Sequence, residues 1–138
     1  MSDIEYMKNR HSCYYLKYHL VVVTKYRHPI FENEALKQSM IDFVTRIFEQ
    51  EWNCKIDNIN TDIDHVYILF SAPPQVQLSK LINNFKTVTS RLLRKEYAEY
   101  LSQYDWKPYF WSDSYFIGTV SEVTEQIVNK YIKDQGLK

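Results

Sequence analysis

The chain has 138 residues, 45% of them apolar and 16% aromatic, and a formal net charge of zero. That apolar share is too high for a disordered chain, the length suits one domain, and no apolar run approaches the roughly 18–20 residues that span a bilayer. Zero net charge argues against a generic polycation that coats duplex DNA, though not against a nucleic-acid binder whose basic residues gather on one face.

The opening MSDIEYMKNRHS lacks the apolar middle of a signal peptide, so a cytoplasmic protein is expected. Cys13 and Cys54 stand far apart and outside any CxxC pattern, and read as small buried hydrophobes. From Tyr14 to Lys25 the sequence is rich in β-branched and aromatic residues, which predicts a long strand running into the basic Lys25-Tyr26-Arg27-His28 and ending before Pro29. Between Asn33 and Trp52, Leu36, Met40, Phe43, Val44 and Ile47 recur at helical spacing. Lys55 to Asn60 alternates weakly as a second strand. Asp62-Ile63-Asp64 is a turn, and His65 to Phe70 is a third strand closed by Pro73-Pro74.

The longest helical pattern runs from Gln77 to about Tyr100, with Leu78, Leu81, Ile82, Phe85, Val88 and Leu92 on one stripe. Its polar side carries no carboxylate between Lys80 and Lys95, only cations and neutral hydrogen-bonding groups. Such a face suits phosphates and bases, or is an ordinary wet face with a chance charge bias. Tyr104 to Trp111 reads as irregular, and Tyr115 to Val120 as a fourth strand. Ser121 is a candidate N-cap for a last helix that runs to about Gln135 and stops at Gly136. Strand, helix, strand, strand, helix, strand, helix points to an α+β fold, a ferredoxin-like antiparallel sheet with helices packed on it.

Period-two alternation projects His65 and Tyr67 from one face of their strand, and Tyr131 and Gln135 share a helix face at i and i+4. A strand His beside a helix Tyr and Gln could bring a metal ligand and a nucleophile together, while a lone strand His is also a common structural residue.

Four segments, in order, sharpen this. They are Tyr18-His19-Leu20-Val21-Val22 with Lys25-Tyr26-Arg27; Asp64-His65-Val66-Tyr67-Ile68-Leu69; Phe116-Ile117-Gly118-Thr119-Val120; and Lys130-Tyr131-Ile132-Lys133-Asp134-Gln135. With them the chain resembles the single-tyrosine HUH transposases, the TnpA proteins of the insertion-sequence 200/605 group, as one such domain over residues 1–138. The resemblance implies a homodimer that cuts and rejoins single-stranded DNA at hairpin-marked ends, with no nucleotide cofactor and no membrane. It implies Tyr131 as the nucleophile that forms a 5′-phosphotyrosine. It also implies a divalent ion, Mg²⁺ or Mn²⁺, held by His65 and Gln135, and a tyrosine helix that completes the partner's site. Lys25, Tyr26 and Arg27 match the family's basic segment, and Lys86, Arg91 and Arg94 on the basic helix are added as DNA contacts.

The sequence departs from the family at Tyr67, where the pattern calls for a second histidine. Three arrangements are open. His65 and Gln135, with waters or with Asp62 or Asp64, hold a weaker metal; cleavage is lost and a DNA- or RNA-hairpin binder remains; or Tyr67 ligates as phenolate. A ferredoxin-like RNA-binding module that offers Tyr67 to bases is the alternative from another class.

Overall fold

The computed structural model describes residues 7–8, 13–104, 109–120 and 125–135. A short hairpin, β1 (Met7–Lys8) and β2 (Cys13–Tyr14), precedes a four-stranded sheet. The sheet contains β3 (Lys17–Val23), β4 (Lys55–Thr61), β5 (His65–Ser71) and β6 (Phe116–Thr119), in the order β4-β5-β3-β6 with every neighbouring pair antiparallel. Four helices accompany it: α1 (Glu34–Thr45), α2 (Leu78–Glu96), α3 (Ala98–Leu101) and α4 (Glu125–Gln135). This is the expected α+β arrangement.

Local chemistry accounts for most boundaries. The strand expected from Tyr14 divides in two, because Cys13 and Tyr14 pair with β1 while Lys17 onward pairs with β5. Helix α1 starts where the Asn33 side chain accepts from the Leu36 N–H at 3.0 Å, and it passes into a π-helical turn over Arg46–Glu51. In β4 a bulge leaves Asp57 without a register partner, and its carboxylate meets Lys17 at 2.8 Å. The expected caps Ser121 and Gly136 lie outside the described residues.

Strand alternation divides the sheet into two faces. Leu20 and Val22 of β3, with Val66, Ile68 and Phe70 of β5, are fully buried against α1 and α2. An aromatic chain runs through this core: Phe48 meets Phe70 and Phe85, Phe85 meets Trp111, and Trp111 meets Phe31 and Phe110. The second face carries His19, Val21 and Val23 of β3 and His65 and Tyr67 of β5, and α4 packs against β3.

Of the stretch expected to be irregular, the described residues that end it are tied to the core and to β3. Phe110 and Trp111 are core residues, and Ser112 N–H donates to the Val23 carbonyl at 2.7 Å. Inside, the Trp111 indole donates to Thr89 Oγ1 at 2.9 Å, and Thr89 donates to the Phe85 carbonyl at 2.7 Å. Replacing Thr89 with Val would bury the indole N–H without an acceptor. Thr89→Val should lose about 1–3 kcal/mol of stability by urea denaturation; an unchanged midpoint would show that this hydrogen bond does not hold the segment to α2.

Candidate active site and nucleic-acid groove

His65 opens β5 directly opposite Val23, the last residue of β3. Its Nδ1 lies 2.9 Å from Asp64 Oδ1, while the other oxygen of that carboxylate accepts from Arg27 Nε at 2.7 Å. With Nδ1 taken, coordination by His65 would fall to Nε2. Tyr67, two residues on, hydrogen-bonds His19 Nδ1 at 2.5 Å from the neighbouring strand. Burial is the main cause that lowers the His19 pKa, partly opposed by a hydrogen bond to the Val120 backbone, and burial raises that of Tyr67. Both are therefore neutral near pH 7, with the phenol donating to the imidazole. His19, Asn60, His65 and Tyr67 line a cavity of about 370 Å³, closed from α4 by Val128, Asn129 and Ile132.

Tyr131 and Gln135 do share a face of α4, and Ser114 joins them. The Ser114 hydroxyl donates to Gln135 Oε1 at 3.0 Å and lies 3.0 Å from the Tyr131 hydroxyl. Either hydroxyl can donate in the bond between Ser114 and Tyr131. The Tyr131 ring packs on Phe116. Burial raises its pKa, and the Ser114 bond offsets part of that rise. Neither Tyr131 nor Gln135 is among the residues lining the His65 cavity. One chain thus holds two half-sites, His65 with Tyr67 and Tyr131 with Gln135.

Among the described residues no group of three or more His, Cys, Asp or Glu side chains could hold a metal ion. The cavity has two imidazoles, His65 and His19, the latter engaged through Nδ1 by Tyr67, and with neutral oxygen donors these do not make a closed structural zinc site. An open site for Mg²⁺ or Mn²⁺ would keep waters and take phosphate oxygens as ligands, and it would need Gln135 brought to the His65 cavity.

The predicted nucleic-acid contacts divide between two places. Lys86, Arg91, Arg94 and Lys95 of α2 line a groove of about 670 Å³ against residues 109–113. Lys86 is partly spent there, donating to the carbonyls of Ser112 at 2.8 Å and Asp113 at 3.2 Å, and its pKa is lowered chiefly by burial. Lys25 Nζ sits 5.3 Å from the Tyr26 ring centroid and 5.1 Å from that of Tyr109, and 3.5 Å from Asp113. Both rings are exposed, Tyr26 by 62% and Tyr109 by 51%. Arg27, by contrast, turns to Asp64, the neighbour of His65. The reason is backbone: Tyr26 and Arg27 both take left-handed φ values, 56° and 53°, so the basic segment folds back on itself.

His19, Ser114 and Tyr109 enter the two sites although no motif in the sequence assigns them a role. His19 was findable, because an antiparallel neighbour of β5 with matching alternation must present it near Tyr67. Nothing in the local sequence marks Ser114.

The chain thus combines an antiparallel sheet that offers a strand histidine on one face with a helix that packs against that sheet and carries Tyr131. The family described as "Transposase IS200 like" matches residues 12–135, and the chain belongs to it. The chain is 32% identical over 132 residues to the ISDra2 transposase TnpA of Deinococcus radiodurans, covering 96% of this chain and 92% of that protein. It is 28% identical to the transposase for insertion sequence element IS200 of Salmonella typhimurium, covering 91% and 80%. A crystallised transposase-family protein of Deinococcus radiodurans R1 superposes with a TM-score of 0.82 at 29% identity, covering 94% of this chain and 97% of that one. A REP-associated tyrosine transposase bound to a REP hairpin shares the fold, with a TM-score of 0.58 at 10% identity over 96% of this chain and 68% of that one.

Proposed function

We propose that this transposase cuts and rejoins single-stranded DNA at hairpin-marked ends, using Tyr131 as nucleophile. The observation that carries the reading is the pairing of Tyr131 with Gln135 through Ser114, on a helix whose adjoining face closes the His65 cavity. A half-buried phenol with a raised pKa is a weak nucleophile at rest and needs a cation beside it to react. A divalent ion held by His65 and Gln135 would supply Lewis-acid polarisation of the scissile phosphate. Gln135 Oε1 accepts from Ser114 at rest, and a carbonyl oxygen has a second lone pair to offer.

In the step itself the Tyr131 oxygen bonds to phosphorus and the bond from phosphorus to the 3′-oxygen breaks. The Tyr131 proton is lost to water as the bond forms, and the departing 3′-oxygen takes up a proton from water, which balances the step and leaves a free 3′-OH. The 5′-phosphotyrosine keeps the phosphodiester energy, so a second 3′-OH can reverse the step without a nucleotide cofactor. Because α4 turns Val128, Asn129 and Ile132 to its own chain's cavity, the productive union of Tyr131 with His65 is assigned to a homodimer in which α4 serves the partner. Lys25, Tyr26, Arg91 and Arg94 form the phosphate and base contacts of this reading, with Lys86 fixing the groove wall.

One observation favours a second reading. The hydrogen bond from Tyr67 to His19 occupies the place where the family pattern calls for a second histidine, which suits a protein that binds DNA or RNA hairpins without cutting. The two readings separate on a hairpin-bearing DNA strand with Mn²⁺. Strand transfer predicts a covalent protein–DNA adduct that Tyr131→Phe abolishes and that Ser114→Ala slows about fivefold, the equivalent of about 1 kcal/mol. Binding without any adduct across a broad metal range would leave only the hairpin-binding reading.

For the groove, Arg91→Gln with Arg94→Gln should weaken hairpin binding and shallow its salt dependence. At about 0.7 per contact on a single strand and about 0.9 on a duplex stem, two lost phosphate contacts reduce the log–log slope by about 1.4–1.8. An unchanged slope would remove α2 from the interface.

A further inference from the structure

We infer that Arg27 and Asp64 are positioning residues that fix the tautomer and direction of His65, so that its Nε2 enters the cavity bare of hydrogen. Asp64 is nearly buried, and each of its carboxylate oxygens has its own partner: Oδ2 takes Arg27 Nε at 2.7 Å and Oδ1 faces His65 Nδ1 at 2.9 Å. A carboxylate gripped on one oxygen by a guanidinium cannot rotate away from the imidazole on the other. An ionised carboxylate only accepts, so the proton of a neutral His65 resides on Nδ1.

The backbone around this relay is built to hold it. The Asp64 carbonyl accepts from the Thr24 N–H at 2.9 Å and from Thr24 Oγ1 at 3.1 Å, which pins the residue before β5 to the end of β3. Thr24 Oγ1 has one proton, shared between the Asp64 carbonyl and the closer His28 carbonyl at 2.8 Å, and Arg27 N–H returns to the Thr24 carbonyl at 3.0 Å. Between these ties, Tyr26 and Arg27 adopt consecutive left-handed conformations that non-glycine residues avoid. Such a conformation persists where the surroundings over-determine it, and here its result is an outward Tyr26 and an inward Arg27.

The arrangement matters more in this chain than in a site with two motif histidines. The phenol of Tyr67 is engaged with His19, so His65 is the one motif imidazole left to the cavity. If its proton moved to Nε2, the cavity would present a donor where a ligand is needed. A carboxylate that orients a ligating histidine typically contributes 10–100-fold to metal affinity. The metal half of this inference rests on the proposed function; the tautomer half does not.

The test uses the full chain with ¹⁵N-labelled histidine, followed by NMR at a pH where His65 is neutral, together with Mn²⁺ titration followed by EPR. Wild type should show His65 protonated on Nδ1. Asp64→Asn and Arg27→Gln should shift it toward the Nε2–H form and weaken Mn²⁺ binding 10–100-fold, with partial recovery in Arg27→Lys. Should Asp64→Asn not fold, the Arg27 pair carries the comparison, since Arg27 is partly exposed. A wild-type His65 protonated on Nε2, or a tautomer and Mn²⁺ affinity unmoved by the substitutions, overturns the inference. If the tautomer responds while wild type takes up no Mn²⁺, the positioning role stands and the metal-assisted reading of the function fails.

Discussion

The register between β3 and β5 is the constraint on which the rest depends. Pairing Val23 with His65 puts the first residue of one strand beside the last of the other, and Thr24 then hooks Asp64 by backbone and side chain. Slipping this pairing by one residue would turn His65 and Tyr67 into the apolar core and bring Val66, Ile68 and Phe70 to the second face. Burial of those three residues against α1 and α2 forbids that slip. The same hydrophobic packing that stabilises the sheet therefore holds the histidine toward α4. At the end of β3 the chain turns sharply, and that turn separates an outward aromatic from an inward guanidinium.

Much of this was legible in the sequence wherever a period governs the chain. Alternation over His65 to Phe70 sets the faces of β5, and 3.6-residue spacing sets the apolar stripe of α2 and the shared face of Tyr131 and Gln135. The element order gave the ferredoxin-like sheet. What escaped was whatever no period encodes. Phe110 and Trp111 follow a stretch without regular spacing, so their place in the core depends on Thr89 and on pairing with the end of β3. Lys25-Tyr26-Arg27 reads as one basic patch, but two positive φ angles send Arg27 to Asp64. The rotation of α4 against the sheet is equally invisible locally. It is set by which side chains fit against β3, and it is what parts Tyr131 from His65.

That separation shapes the functional account. Tyr131 rests in a chain of hydrogen bonds with Ser114 and Gln135, and His65 rests against Asp64 and Arg27. Each half-site is internally satisfied, which suits a nucleophile that stays idle until DNA and the other half-site arrive. The Tyr67–His19 pair makes the histidine side sparser than the family pattern, and places greater weight on the one imidazole that remains in the motif.

The claim that cleavage unites His65 of one copy with Tyr131 of another can be measured by mixing two inactive proteins. His65→Ala keeps the nucleophile and Tyr131→Phe keeps the imidazole, so a mixed dimer contains one intact composite site. After subunit exchange with hairpin DNA and Mn²⁺, the account predicts that covalent adducts reappear, all on the His65→Ala chain. If the wild type forms adducts and the mixture forms none, each chain's helix serves its own cavity and the account is wrong.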